Sequence, residues 1–185
     1  MRGGDFFQRW RVRLGYLLAV VVLALAHPTA ESLAIGGAVG LAGLAIRAYA
    51  AGYLHKQEVL TVTGPYARTR NPLYFGSSIL TVGAAIATRS WIAAGLLLVY
   101  FAVVYSQVMQ REAGELRGKH GAAFDAYAET VPLFLPRLNA ARVNEGPSGG
   151  FRWAQYKKNH EYQAAIGFVL LLGVLAAIGW LRALR

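Results

Sequence analysis

Cysteine is absent, which excludes a disulfide framework, a thiolate nucleophile and Cys-ligated zinc. Histidine is scarce. His27, His55, His120 and His160 are scattered, without the paired spacing of metal ligands, so no metal is expected. Acid is also short: nine Asp and Glu stand against 19 Lys and Arg, a net charge of +10. Charged residues of both signs reach only 15%, against roughly 25% in soluble domains. They are too few to cover the surface of a 20.0 kDa protein. What is abundant is apolar, 56% of the 185 residues. Disorder and an ordinary soluble domain are both disfavoured, and lipid is expected to replace water over much of the surface. A single domain is the expected count at this length.

Five apolar stretches stand out. They are Leu14–Ala26 (extendable to Ala30), Leu33–Leu54, Leu73–Ala87, Trp91–Met109 and Ala164–Leu184. About 20 apolar residues span a bilayer as a helix. The second, fourth and fifth meet that length. The first and third are short, and the third suits burial among the others. The predicted fold is therefore all-α: a polytopic transmembrane bundle of about five spans, with cytoplasmic loops forming a pocket. Its parts are the first two helices (1–54), a core (55–137), a cytoplasmic linker (138–163) and a C-terminal helix (164–185). Arg9, Arg11 and Arg13 before an apolar run, followed by Ala24-Leu25-Ala26, have the form of a secretory leader. The segment is read as a retained first helix.

Lys and Arg alternate between connections. Arg2, Arg9, Arg11 and Arg13 precede the first span, and Lys56, Arg68 and Arg70 follow the second. Segment 110–163 carries Arg111, Arg117, Lys119, Arg137, Arg142, Arg152, Lys157 and Lys158. The first connection has none and the third has Arg89 alone. Positive charge marks cytoplasmic loops, so the N-terminus, loop 55–72 and segment 110–163 are expected in the cytoplasm. Arg182 and Arg185 fall outside. The charge thus reads as topology and attraction to anionic lipid. Spread over three juxtamembrane segments, it does not form a nucleic-acid surface, and no nucleic-acid partner is expected.

Gly36, Gly40 and Gly43 lie near one face of the second span and permit close helix contact. Arg47 sits about two turns from the cytoplasmic end. It either faces a cavity or charged partner or snorkels to the headgroups.

The stretch from Glu58 to Gly76 is the most informative. Gly64-Pro65 marks a turn. Asn71-Pro72 predicts a helix beginning at Pro72 with Asn71 as its cap, because Asn caps well and Pro suits the first helical position. Its free N–H groups can receive an oxygen or carboxylate, although a plain span start with interfacial Tyr66 and Tyr74 has the same pattern. From Trp91 to Glu112 a helix rises roughly 33 Å, which delivers Glu112 to the membrane boundary with Glu115 close to the same face. A solvated charge run gives the same spacing. Val131-Pro-Leu-Phe-Leu-Pro136 is a proline-bracketed apolar segment expected along the membrane surface.

Together Gly64-Pro-Tyr66, Arg70-Asn71-Pro72-x-Tyr74-x-Gly76, Glu112, Gly121-x5-Tyr127 and Val131-Pro132-x3-Pro136 resemble the isoprenylcysteine carboxyl methyltransferase family. That family groups with the phospholipid methyltransferases, integral membrane enzymes that use S-adenosylmethionine. The resemblance spans about Leu54 to Pro136. It implies cofactor binding by Glu58, Val59, Leu60, Thr61, Tyr66, Asn71, Pro72, Leu73, Tyr74 and Glu112, with Arg70 and Tyr74 as catalytic side chains. Departures exist. The family often has His at the positions of Glu58 and Asn71, and a second acid at Ala113. Animal members place a substrate-binding Arg at the position of Val108, and Arg111 is nearby but not equivalent. Cofactor use is therefore better supported than an isoprenylcysteine substrate.

The residue types suit the cofactor that the resemblance implies. Glu112 can pair with an ammonium, Tyr66 or Tyr74 can face a sulfonium, and the backbone of Glu58–Thr61 can read an adenine edge. Methyl transfer needs little acid or base, so positioning and water exclusion carry the rate. The acceptor implied is a hydrophobic or lipid-like molecule entering from the bilayer. Two rivals remain: an NADPH-dependent reductase of the sterol type, with a similar Gly…Tyr…Pro pattern, and a non-catalytic membrane scaffold with a decayed site.

Overall fold

The computed structural model describes residues 3–55, 59–141 and 150–184. Its helices are α1 (Gly3–Leu25), α2 (Ala30–Tyr53), α3 (Pro72–Thr88), α4 (Trp91–His120), α5 (Ala122–Thr130), α6 (Trp153–Lys158) and α7 (Tyr162–Ala183). A 3-10 turn at Gly64–Ala67 lies between α2 and α3. No strand occurs among the described residues. Three helices, α2, α4 and α7, are long and apolar enough to cross a membrane. Arg13–Leu25 of α1 and all of α3 form shorter apolar helices. The helical membrane bundle expected from the sequence is therefore found. Five apolar helices are present, of which three reach spanning length.

Local chemistry sets the boundaries. Pro28 interrupts the apolar run after α1, and Thr29 opens α2 three residues earlier than hydropathy suggests. Its hydroxyl accepts from Ser32 N at 3.3 Å while Ser32 Oγ accepts from Thr29 N at 2.9 Å, a reciprocal cap. Ser90 caps α4 by accepting from Ala93 N at 3.3 Å. At 30 residues, α4 measures roughly 45 Å. It overruns a hydrocarbon core of about 30 Å. Its last turns carry Arg117, Lys119 and His120, which complement the helix dipole.

The centre of the bundle is the antiparallel pair α2–α3. A Cβ on Gly36 would lie 2.5 Å from Gly83 O, and one on Gly43 would lie 2.7 Å from Gly76 O. The two backbones touch, and only glycine fits between them. Gly40, on the same stripe, instead receives the Phe168 ring of α7. Leu175 of α7 is fully buried against Ala26 and Ala87. Ser32 Oγ donates to Ala87 O at 3.2 Å, and His27 N donates to Thr88 O at 2.8 Å. Those bonds close the end of the pair away from Arg47. Outward faces carry bare apolar side chains such as Leu17, Val20, Val99, Val169 and Leu170, as expected for lipid contact.

A pair of substitutions tests the helix contact. Gly36→Ala drives a methyl into backbone and should cost about 1–3 kcal/mol. Gly95→Ala on α4 meets nothing within 4 Å. It should be neutral or stabilising by up to about 1 kcal/mol, because Ala is the better helix former. Thermal unfolding in detergent should lower the midpoint for the first variant alone.

Candidate active site

At the end of α2–α3 that holds Arg47, a cavity of about 460 Å³ opens between the α3 N-terminus, the last turns of α4 and the start of α7. Val59, Leu60, Thr61, Tyr66, Arg70, Asn71, Pro72, Leu73, Tyr74 and Glu112 all line it. Glu58, also expected at the site, lies outside the described residues. Two segments about 40 residues apart in sequence thus converge on one cavity.

The proline-bracketed segment builds one wall. Arg70 N donates to Pro132 O and Arg137 N to Arg68 O, both at 2.9 Å, and Ala141 N donates to Ala67 O at 2.8 Å. Thr69 Oγ1 donates to Phe134 O at 2.8 Å. Segment 131–141 is therefore a strap across 67–71. Asn71 differs from expectation here. Helix α3 does begin at Pro72 with Asn71 in the cap position, but the Asn71 side chain makes no cap bond. Its Nδ2 donates to Leu133 O at 2.9 Å instead. Pro132 and the strap turn that carbonyl inward, and pairing it outweighs a helix cap.

Below the strap is a small core of Val62, Phe124, Tyr127 and Val131. The Tyr127 hydroxyl donates to Tyr66 O at 2.7 Å. Burial pushes both phenols above the ordinary range. For Tyr66, Tyr127 and the carboxylates Glu112 and Glu161 add to the shift, whereas Arg70 opposes it at Tyr127. Burial also lowers the Arg70 guanidinium. Its carbon lies 5.8 Å from the Phe124 ring centre, and its Nε is buried without a hydrogen-bond partner. An unpaired buried donor costs free energy.

Across the cavity, Glu112 Oε1 accepts from the Tyr74 hydroxyl at 2.5 Å. Tyr74 packs edge-on against Tyr105, with ring centres 5.2 Å apart. Glu115 also reaches the cavity, but its carboxylate pairs with Arg111 one turn back, at 3.0 Å, and both are exposed. That pair gives Arg111 a partner on its own helix.

Arg47 takes the first of its two expected courses. It lines the cavity, and its Nε lies 2.5 Å from Glu161 Oε1. A second bond runs to Ser77 Oγ. Glu161 is buried and immediately precedes α7. Residues 150–161 seat it: Phe151 stacks over Gly52, Arg152 N donates to Gly52 O at 3.0 Å, and Asn159 Nδ2 donates to Ala51 O at 2.8 Å. Sequence reasoning missed Glu161. The available signal was Arg47 itself, since a charge two turns inside a span needs a counter-charge. It also missed Phe124 and Leu133 as wall residues, although both fall inside the quoted motifs.

The phospholipid methyltransferase family matches residues 10–117, more than half of the sequence. The chain belongs to the phospholipid methyltransferase family. As a family member it carries its match through Tyr66, Arg70–Tyr74 and Glu112, while the strap and Glu161 lie beyond it. Two curated relatives are metal-resistance proteins. The chain is 33% identical to the nickel-cobalt-cadmium resistance protein NccN of Alcaligenes xylosoxydans xylosoxydans, over 72% of this chain and 65% of that protein. It is 32% identical to the cobalt-zinc-cadmium resistance protein CzcN of Cupriavidus metallidurans, over 47% of this chain and 40% of that one. The chain therefore spans about two thirds or less of the curated relatives it matches. No solved structure matches.

The buried phenols give a pH test. An unfolded tyrosine ionises near pH 10, while Tyr66 and Tyr127 stay protonated in the folded state. Stability should fall as pH rises through that value, because folding then requires holding the protons. Tyr127→Phe removes one phenol. It should lower stability at neutral pH by about 1–2 kcal/mol, through the unpaired Tyr66 carbonyl, and lose less on going to pH 11. Denaturant unfolding at both values measures the two effects.

Proposed function

We propose that this family member transfers a methyl group from S-adenosylmethionine to a lipid-like or otherwise hydrophobic acceptor, and that its pocket faces the cytoplasm. The observation that supports this most is that side chains of both signs line one cavity, Glu112 on α4 and Arg70 just before α3. Charges of both signs suit the cofactor's zwitterionic amino-acid end. A cavity of about 460 Å³ lies within the usual range for ligands of this size.

Glu112 would hold the ammonium, with Tyr74 fixing the carboxylate by its 2.5 Å bond. Arg70 and the uncapped first turn of α3 would hold the carboxylate. The faces of Tyr66 and Tyr74 suit a sulfonium, and Val59–Thr61 would supply backbone groups to the adenine. When bound, S-adenosylmethionine supplies an activated methyl group. The protein's part is to align and to exclude water. Arg70 and Tyr74, through these contacts at the amino-acid end, would orient the adjoining sulfonium for transfer without needing to move a proton. The apolar wall of Leu60, Leu116 and Leu133 keeps the reacting end dry. The cytoplasmic orientation rests on the Lys and Arg of loop 55–72 and segment 110–163.

Glu112→Gln should weaken S-adenosylmethionine binding by roughly 1.5–3 kcal/mol, the scale of a charged hydrogen bond. Glu115→Gln should change it far less, because that carboxylate already has Arg111. Calorimetry on detergent-solubilised variants measures both. Equal affinity in Glu112→Gln and the parent would remove the assignment.

A further inference from the structure

The opposite end of the α2–α3 pair holds a second cavity, about 530 Å³, open to the surface between the α2 N-terminus, the α3 C-terminus and the start of α4. Its walls are apolar, with Ile35, Val82, Ile86 and Leu98 along its length. Ile35, Val82 and Leu98 stand among the exposed large hydrophobic residues. These walls belong to helices that the fold places in the bilayer, so an acyl chain is their natural filling.

The mouth is different. Glu31, in the first turn of α2, and Arg89, between α3 and α4, both border it. Among the described residues, neither forms an ion pair. The Arg89 backbone is fixed, while its side chain is exposed. Arg89 adopts a left-handed backbone (φ 50°) and closes α3 by donating its N–H to Ile86 O at 3.0 Å. Ser90 then caps α4 at once. Trp91 follows and is 95% exposed, in the manner of an aromatic anchor at headgroup depth.

One apolar slot thus ends in one anionic and one cationic side chain. We propose that this cleft is a binding site for a zwitterionic phospholipid, separate from the methyl-transfer pocket and at the other end of the bundle. Arg89 receives the phosphate, Glu31 the ammonium, and an acyl chain lies along Ile35, Val82 and Leu98. An anionic lipid without an ammonium leaves Glu31 facing like charge. A lone cation leaves Arg89 unmatched. The inference does not depend on the proposed activity.

The test uses the full chain in neutral detergent doped with phosphatidylethanolamine bearing a photoactivatable group on one acyl chain, and with phosphatidylglycerol of the same chain. Labelled peptides are then mapped. The ethanolamine lipid should label residues 82–98 preferentially over the glycerol lipid. Arg89→Gln should lower that labelling about fivefold, the scale of one charge near a membrane surface. Glu31→Gln should erase the preference between the two lipids. Both variants should keep the parent's thermal midpoint and S-adenosylmethionine affinity. Equal labelling of the parent by both lipids would overturn the proposal, as would full labelling of a Glu31→Gln/Arg89→Gln double variant. A dimer that shields Trp91 from an aqueous quencher in lipid-free detergent would also overturn it, because a second copy would then fill the cleft.

Discussion

Everything at the pocket depends on how closely α2 and α3 approach. With Gly36 against Gly83 and Gly43 against Gly76, the two helices meet backbone to backbone through their glycine stretches. That contact fixes the register, and the register carries Arg47 to Ser77, one turn below Tyr74. Any side chain in the glycine stripe would part the helices and displace the α3 N-terminus, where Asn71, Pro72, Leu73 and Tyr74 line the cavity. In lipid the hydrophobic effect does not drive helices together, so such packing and the polar bonds at both ends supply much of the specificity.

Around this pair, the rest of the site is assembled from short segments that satisfy one another's polar groups. The strap 131–141 gives its carbonyls to 68–71 and accepts the Asn71 side chain. Tyr127 pins the 3-10 turn through Tyr66 O. Glu161 neutralises Arg47 and seats α7 at the cavity edge. Arg70 is the exception, since its buried Nε has no partner. A buried polar group left without a partner is uncommon and costs free energy.

Much of this was readable in the residues, for physical reasons. Long apolar runs announce α2, α4 and α7 because a bilayer demands length. The glycine spacing announces a close contact. Pro72 marks a helix start because no N–H is lost there. The motif blocks lie together: Val59–Thr61, Tyr66, Arg70–Tyr74 and Glu112 line one cavity. What stayed hidden depends on tertiary pairing. Asn71 has the right chemistry for a cap, but a carbonyl 62 positions away claims its amide. Glu161 sits in a basic, weakly patterned segment, and nothing local shows that it answers Arg47, 114 positions earlier. The Thr29–Ser32 cap, by contrast, is local and could have set the start of α2, had hydropathy not been given precedence.

The central claim is that the cavity bordered by Glu112 and Arg70 accepts the zwitterionic end of an S-adenosyl cofactor. Titration calorimetry of the detergent-solubilised chain with S-adenosylhomocysteine and, separately, with NADPH tests it most directly. One S-adenosylhomocysteine should bind per chain, with heat that disappears in an Arg70→Gln/Glu112→Gln double variant, and NADPH should not bind. Saturable binding of NADPH, with none of S-adenosylhomocysteine, would contradict it and point to reductase chemistry in the same cavity.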